Sequence, residues 1–188
     1  MAMRLTLKKN LLYSFFSIIL CSLVLSIDKS SPSFVYAEEI SFFRASPRLV
    51  RTHTTFTLPN VISTYIFEIE IPQNAINSLQ KIVINQQTNM ETIDFFPDQT
   101  KAFIINNNQQ KINVKAINNF SDNKNELIIE LEPSIPSGNT LKLEVKARNP
   151  LYGGIYQFGV TAYPQGNNPR SLYLGIARFH FDQPGGRF

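Results

Sequence analysis

Arg148-Asn-Pro-Leu-Tyr-Gly-Gly-Ile-Tyr-Gln-Phe-Gly-Val-Thr-Ala-Tyr-Pro164, answered by Tyr173-Leu-Gly-Ile-Ala-Arg-Phe-His-Phe181, is the stretch on which the fold turns. Pro150 pushes Asn149 into an extended conformation, and Gly153-Gly154 supply a tight turn at little steric cost. Beyond the turn, Tyr156, Phe158, Val160 and Ala162 recur at period two, the spacing of one face of a strand. Gln165-Gly-Asn-Asn-Pro169 reads as a hairpin loop. In the second strand Tyr173, Gly175, Ala177, Phe179 and Phe181 share a side, with Leu174, Ile176, Arg178 and His180 opposite. The two strands are expected to form the central hairpin of an all-β fold. Gly159 and Gly175 lie inside them, where glycine marks a bulge or leaves room for an aromatic ring crossing from the neighbouring strand.

Working outward, Tyr65 to Ile71 shows the clearest alternation. Tyr65, Phe67, Ile69 and Ile71 fall on one face, and Glu68 and Glu70 point the other way. Burying each of the four apolar chains is worth about 1.5–3 kcal/mol, so a one-residue slip, which would bury both glutamates, is excluded. Leu49 to Thr57 reads as a first strand, after a lead-in that is either a flexible arm or an edge segment. Pro72 to Leu79 has the look of a single helical turn, and Lys81 to Gln86 resumes as a strand. Thr92 to Phe96 and Ala102 to Ile105 are short apolar runs around Pro97, and Lys111 to Ile117 alternates again. Glu126 to Glu132 and Thr140 to Lys146 are strands separated by a proline- and glycine-bearing loop, and are expected to pair antiparallel with glutamates facing lysines. About eight or nine strands, turn signals every eight to twelve residues and little or no helix give an antiparallel β-sandwich, immunoglobulin-like in general architecture, with an antiparallel barrel as the alternative.

Composition bounds the location. Arg4, Lys8 and Lys9 precede an apolar run from Leu11 to Ile27, and Val35-Tyr36-Ala37 carries the small-residue spacing of a signal-peptidase site. This predicts a secretory signal over 1–37 with cleavage after Ala37, leaving 38–188 as a single domain with its core over about 46–182. The rival reading is an uncleaved anchor, since the run is nearly long enough to span the bilayer. Cys21 is preceded by leucine, which disfavours lipidation. Residues 38–188 hold fourteen basic and thirteen acidic residues, so the basic character of the whole chain is a property of the leader. A net charge near +1 lacks the basic patch that nucleic acid or an anionic surface requires. No membrane span is expected after cleavage. The mature part has no cysteine, and its length buries enough surface to fold without disulfides.

With Arg148-Asn-Pro, Tyr152-Gly-Gly-Ile-Tyr156, Phe158-Gly-Val-Thr-Ala-Tyr-Pro164 and Leu174-Gly-Ile-Ala-Arg-Phe-His-Phe181 on the page, the chain resembles the cyanobacterial secreted proteins grouped as domain of unknown function 2808. Pro47-Arg-Leu-Val50, Thr54-Thr-Phe56, Tyr65-Ile-Phe67 and the Ile71-Pro-x-Asn-Ala75 turn extend the resemblance to about residues 46–182. It implies an exported protein of the periplasm or envelope and carries over no catalytic residue.

Candidate sites are few. His53 and His180 are the only histidines, too few to build a zinc centre that needs three or four ligands. Glu91, Asp94 and Asp98 sit near a turn, without the frame of a calcium loop. Asn119-Phe-Ser121 matches a glycosylation sequon. No Gly-x-Ser-x-Gly elbow is present, and no cofactor or metal motif is found. Arg178, His180 and Arg148 remain as candidates for a ligand or partner surface. Arg178 is either an anion contact or, more economically, an arginine lying along the sheet against a glutamate. Arg148 is expected to donate to loop carbonyls at a strand end. These observations favour a non-catalytic envelope module that binds another protein or a cell-wall or surface glycan. The alternatives are an assembly subunit that pairs through an edge strand and a hydrolase, for which no nucleophile–base pair is visible.

Overall fold

The computed structural model describes residues 39–105, 109–121 and 124–185. The segment expected to be a secretory signal, its expected cleavage point and most of the 106–110 tract therefore lie outside the described residues. Among those described, eleven strands follow one another: β1 (Ile40–Ser41), β2 (Arg48–Thr54), β3 (Ile62–Glu70), β4 (Leu79–Gln86), β5 (Asp94–Ile104), β6 (Gln110–Ser121), β7 (Lys124–Ile135), β8 (Thr140–Arg148), β9 (Gly154–Pro164), β10 (Asn168–Pro169) and β11 (Leu172–Phe181). The only helical element among them is a 3₁₀ turn at Gln73–Ala75, inside the segment expected to make one turn.

Nine strands run in the order β11-β9-β4-β7-β6-β5-β8-β3-β2, all neighbours antiparallel. β6 turns the corner between the layers. Up to Ile112 it pairs with β5, and from Asn113 onward it pairs with β7. The result is an all-β, immunoglobulin-like sandwich, with β2 and β11 as edges that lie near one another without sharing a ladder. The lead-in is an edge segment: β1 pairs in parallel with β10, and Phe43 packs on the core.

The core is an aromatic cluster set between the layers. Tyr65 and Phe67 of β3 and Phe95 of β5 meet Tyr156 and Phe158 of β9 and Phe179 and Phe181 of β11, all nearly inaccessible. The Tyr65 ring lies 4.9 Å from Phe179, 5.7 Å from Phe181 and 6.1 Å from Phe158, centroid to centroid. Phe179 also reaches Phe67 at 5.5 Å and Phe158 at 5.6 Å, edge to face. Tilted and T-shaped pairs of this kind add about 0.5–1.5 kcal/mol each beyond area burial. The period-two face of Tyr65 to Ile71 is thus what brings the two sheets together.

Several expectations are corrected. β7 and β8 do not pair: β7 lies between β4 and β6, and β8 between β3 and β5. The loop between them hooks onto the end of β3, with Gly138 N–H donating to Ile71 O and Ile71 N–H donating to Asn139 O, both at 2.9 Å. That delivers the chain to the other layer. Glu130 still faces lysines, but they are Lys81 of β4 and Lys115 of β6. The two runs around Pro97 belong to one strand, whose register shifts between Phe96 and Lys101. Such an irregularity is how a strand accommodates proline.

The β9–β11 hairpin forms as expected, but at the edge of its sheet rather than its centre. A bulge between Tyr173 and Gly175, where Gly175 has φ +119°, reverses the faces at the start of β11. Tyr173 is consequently exposed, while Leu174 packs on the core. Gly159 leaves room for an aromatic ring: a Cβ placed there would sit 3.2 Å from the Tyr173 ring.

Removing the ring at the meeting point of the layers, Phe179→Ala, is expected to cost about 3–5 kcal/mol in urea unfolding. Arg178→Ala, one residue away on the exposed face, is expected to stay within about 0.5 kcal/mol of the parent.

Candidate functional site

Strand directions gather at least four chain segments at one end of the sandwich. They include the β2–β3 loop (55–61), the β4–β5 loop (87–93), the β8–β9 loop (149–153) and the segment after β11. The opposite end carries the lead-in and the 3₁₀ turn. Loops expose backbone polar groups that must find partners, and here side-chain amides and carboxylates supply them.

Asn149 is the centre of this arrangement and only 2% exposed. Its Nδ2 donates to Phe56 O at 3.0 Å and Leu58 O at 2.8 Å, and its backbone N–H donates to Val61 O at 2.9 Å. Its Oδ1 accepts from the Tyr65 hydroxyl at 3.1 Å. One residue therefore fixes the β2–β3 loop and satisfies the hydroxyl of the central core ring. The extended conformation that Pro150 imposes on Asn149 sets its backbone for both tasks.

Glu91 does the equivalent for the β8–β9 loop. Its carboxylate accepts from the backbone N–H groups of Leu151, at 2.8 Å, and Tyr152. Gln86 holds Glu91 in turn, donating from Nε2 to Glu91 O and accepting from Ile93 N–H. Asn125 donates to Gln86 Oε1 and Ile93 O. After β11, Asp182 accepts from the Thr57 hydroxyl at 2.6 Å, and its N–H donates to Thr57 O. The backbone at Gly153 approaches Asp182 so closely that a Cβ would lie 2.2 Å from its carbonyl oxygen.

Burial raises the pKa of both tyrosines beneath this end. For Tyr65 desolvation dominates, with a contribution from Tyr156. For Tyr156 desolvation is again first, followed by the charge and hydrogen bond of Glu91.

Among exposed polar residues such as Thr55, Asn60 and Asn89, the loops also present apolar side chains to solvent. Phe56, Leu58, Met90, Leu151 and Tyr152 are exposed on the tied loops, with Ile62 and Ile155 at the adjoining strand starts. Met90 is 82% exposed and Tyr152 54%. Arg148 lies on this rim, exposed, and donates from Nη1 to Asn60 O at 3.3 Å, the strand-end role expected of it. His180 and Arg178 are exposed on β11, opposite Ile155 and Gln157. No hydrogen bond or ion pair holds either one among the described residues, so Arg178 does not take the glutamate partner expected for it. The three sequence candidates are not brought together: Arg148 belongs to one sheet, and Arg178 and His180 to the edge of the other. Glu91, read only as an acid near a turn, is a loop clamp. No group of three or more histidine, acidic or cysteine side chains converges among the described residues. A 340 Å³ depression at the opposite end is lined by Phe42, Phe43, Arg170, Ser171 and Leu172 and opens widely to solvent.

Asn149→Ala leaves two loop carbonyls and the Tyr65 hydroxyl short of partners, and is expected to cost about 3 kcal/mol. Hydrogen exchange should then accelerate in loop 55–61 more than in β7. Because both tyrosine pKa values are raised on folding, the neutral rings favour the native state. That stability is full below the unfolded value of about 10 and is lost as pH rises above it. Tyr65→Phe is expected to flatten the alkaline fall of stability in urea titrations between about pH 9 and 11.

Solved structures with a similar course of chain include the collagen-binding domain of a Staphylococcus aureus adhesin, at 13% identity and TM-score 0.39, covering 70% of this chain and 97% of that one. The collagen-binding subdomain of the Enterococcus faecalis surface protein ACE is similar at 9% identity and TM-score 0.43, covering 74% and 99%. A C-terminal fragment of the major pilin GBS80 of Streptococcus agalactiae is similar at 10% identity and TM-score 0.47, covering 72% and 56%. No curated protein matches the chain. Residues 40–181 match the family described as Protein of unknown function (DUF2808), and the chain belongs to that family.

Proposed function

We propose that this is an exported, non-catalytic binding module of the cell envelope that meets a protein partner through its tied loop end. The observation that carries the reading is the pairing of exposed apolar tips with loops fixed in advance. Phe56, Leu58, Met90, Leu151 and Tyr152 stand on segments whose backbones are held by Asn149, Glu91 and Asp182. Loops already ordered avoid much of the conformational cost of association. Several large apolar side chains exposed at one end of a domain favour an interaction site there, and the aromatic and methionine side chains here are types enriched at protein interfaces. The rim mixes charge signs, with exposed Arg148 opposite exposed Asp94. That suits a protein better than an anionic bilayer, which would call for a basic collar.

Export rests on the leader-like segment 1–37, with 38–188 as the domain delivered. Strand addition at an edge is the less favoured route. β2 is interrupted by a register shift between Leu49 and Arg51, and β11 by the one at Tyr173. Bulges and edge charges such as Arg48 and Arg51 are the usual means of blocking such pairing.

A photo-crosslinking residue at Tyr152 in intact cells should trap a discrete protein adduct, and the same residue at Gln99 should not. Adding Leu151→Asp should abolish the adduct while leaving the melting temperature within about 2 °C of the parent. Equal adducts at both positions, or none at Tyr152, would defeat this reading.

A further inference from the structure

The outer face of the β11–β9–β4 layer holds a feature that neither the loop end nor the core accounts for. Tyr173 is 58% exposed, yet its position rests on two glycines. Gly175, at φ +119°, makes the bulge that turns Tyr173 outward, and Gly159 on β9 makes room for its ring. The ring thus reaches over β9 with its Cε2 and hydroxyl nearest Gly159, while more than half of the residue stays exposed. A bulge that re-aims one side chain is common beside functional sites.

The surroundings are polar and short of partners. Gln87, at the end of β4, reaches Gly159 from the other side, its Nε2 lying 3.2 Å from where a Cβ would be. Gln157 follows two residues before Gly159 on β9 and faces Arg178 across the ladder. Among the described residues no side-chain hydrogen bond or ion pair engages Gln87, Gln157 or Arg178. Ile176, opposite Gly159, is exposed beside the ring. The outward positions of β9 from Ile155 to Tyr163 carry no acid. On β7, Glu126 is held by Asn85 at 3.0 Å. The Arg178–Gln157 pair stands one outward position along the strands from the ring, about 7 Å.

A flat ring, free amide groups and an unpaired guanidinium on one exposed face match the chemistry of a pyranose chain that bears carboxylates. The C–H face of a sugar stacks on tyrosine, its hydroxyls meet the amides, and the guanidinium takes a carboxylate through paired hydrogen bonds. We propose that the face around Tyr173 is a carbohydrate site for a uronate-bearing polysaccharide, with Tyr173 as the stacking platform and Arg178 as the carboxylate contact. The ring and guanidinium that define the site, Tyr173 and Arg178, are not among the loop tips proposed to meet a protein, so loss of the Tyr152 adduct would leave it standing.

The test is affinity electrophoresis of the purified protein through gels carrying polygalacturonate, its fully methyl-esterified form, or dextran sulfate. Polygalacturonate should retard the protein, and the esterified polymer at least several-fold less. Tyr173→Ala and Arg178→Gln should each weaken binding about tenfold, the loss of roughly one strong contact. Tyr173→Phe, which keeps the ring, should retain it. Tyr173→Ala also uncovers Gly159, so Arg178→Gln, at an exposed position, is the variant least able to disturb folding. The proposal is overturned by absent retardation in polygalacturonate, by unchanged retardation of both variants, by equal binding to the esterified polymer, or by dextran sulfate binding that matches polygalacturonate and ignores Tyr173.

Discussion

The buried amide of Asn149 is the constraint on which the rest of this sandwich depends. It joins the hydroxyl of Tyr65, the ring at the centre of the aromatic core, to the carbonyls of Phe56 and Leu58 in the nearest loop. Packing of the layers and geometry of the loop end are therefore one network. In a low-dielectric setting these hydrogen bonds are strong when complete and costly when broken. A tyrosine, unlike a phenylalanine, gives the core a polar handle that must be answered, and the answer is what shapes the loops. Ser63 repeats the device nearby: its hydroxyl accepts from Phe56 N–H at 3.0 Å and bonds Thr54 and Thr55.

The local half of the fold was legible because strand periodicity is a local property. Phe67, Ile69 and Ile71 alternate with Glu68 and Glu70, Tyr65 continues the same face, and all four are buried, as is Ile66 between Tyr65 and Phe67. The same holds for Leu127, Ile129 and Leu131, and for Tyr156 and Phe158. Strand pairing was less legible, because it depends on partners far along the chain. β7 and β8 are adjacent in sequence with a loop of hairpin length, yet two hydrogen bonds to Ile71 send the chain to the other layer. No residue in that loop announces this. The face of Tyr173 was misread for a smaller reason. Period two fails by one residue at a bulge, and Gly175 marked the bulge without saying on which side of it the register resumes.

The site divides in the same way. Arg178 and His180 could be found from sequence as polar residues opposite the aromatic face of an alternating strand, and both are exposed. The loop end could not be found so. Glu91 lies 60 residues from Leu151, and Asn149 lies 93 from Phe56, and nothing in a turn-rich stretch distinguishes a clamp from a solvated side chain. The abundance of asparagine and glutamine is the one available signal, since the side-chain amides of Gln86, Asn125 and Asn149 are the means by which loop backbone is satisfied.

These constraints also decide which surfaces are left for recognition. Each edge strand carries a register shift, so neither offers a long regular ladder. What remains are surfaces that the fold has ordered for other reasons. The loop tips are fixed because Tyr65 and Tyr156 need partners for their hydroxyls, which Asn149 and the Tyr152 carbonyl provide. The Tyr173 ring is directed outward by the edge bulge and finds room over Gly159. In both cases rigidity arises from satisfying the fold, and a partner would inherit it at no further cost in order. The difference lies in what is shown: apolar tips of several loops at one end, and a single ring among unpartnered polar groups on the flank. The two surfaces adjoin along β9 but are anchored by different side chains, the loop tips by Asn149, Glu91 and Asp182 and the ring by the bulge at Gly175 and the space at Gly159.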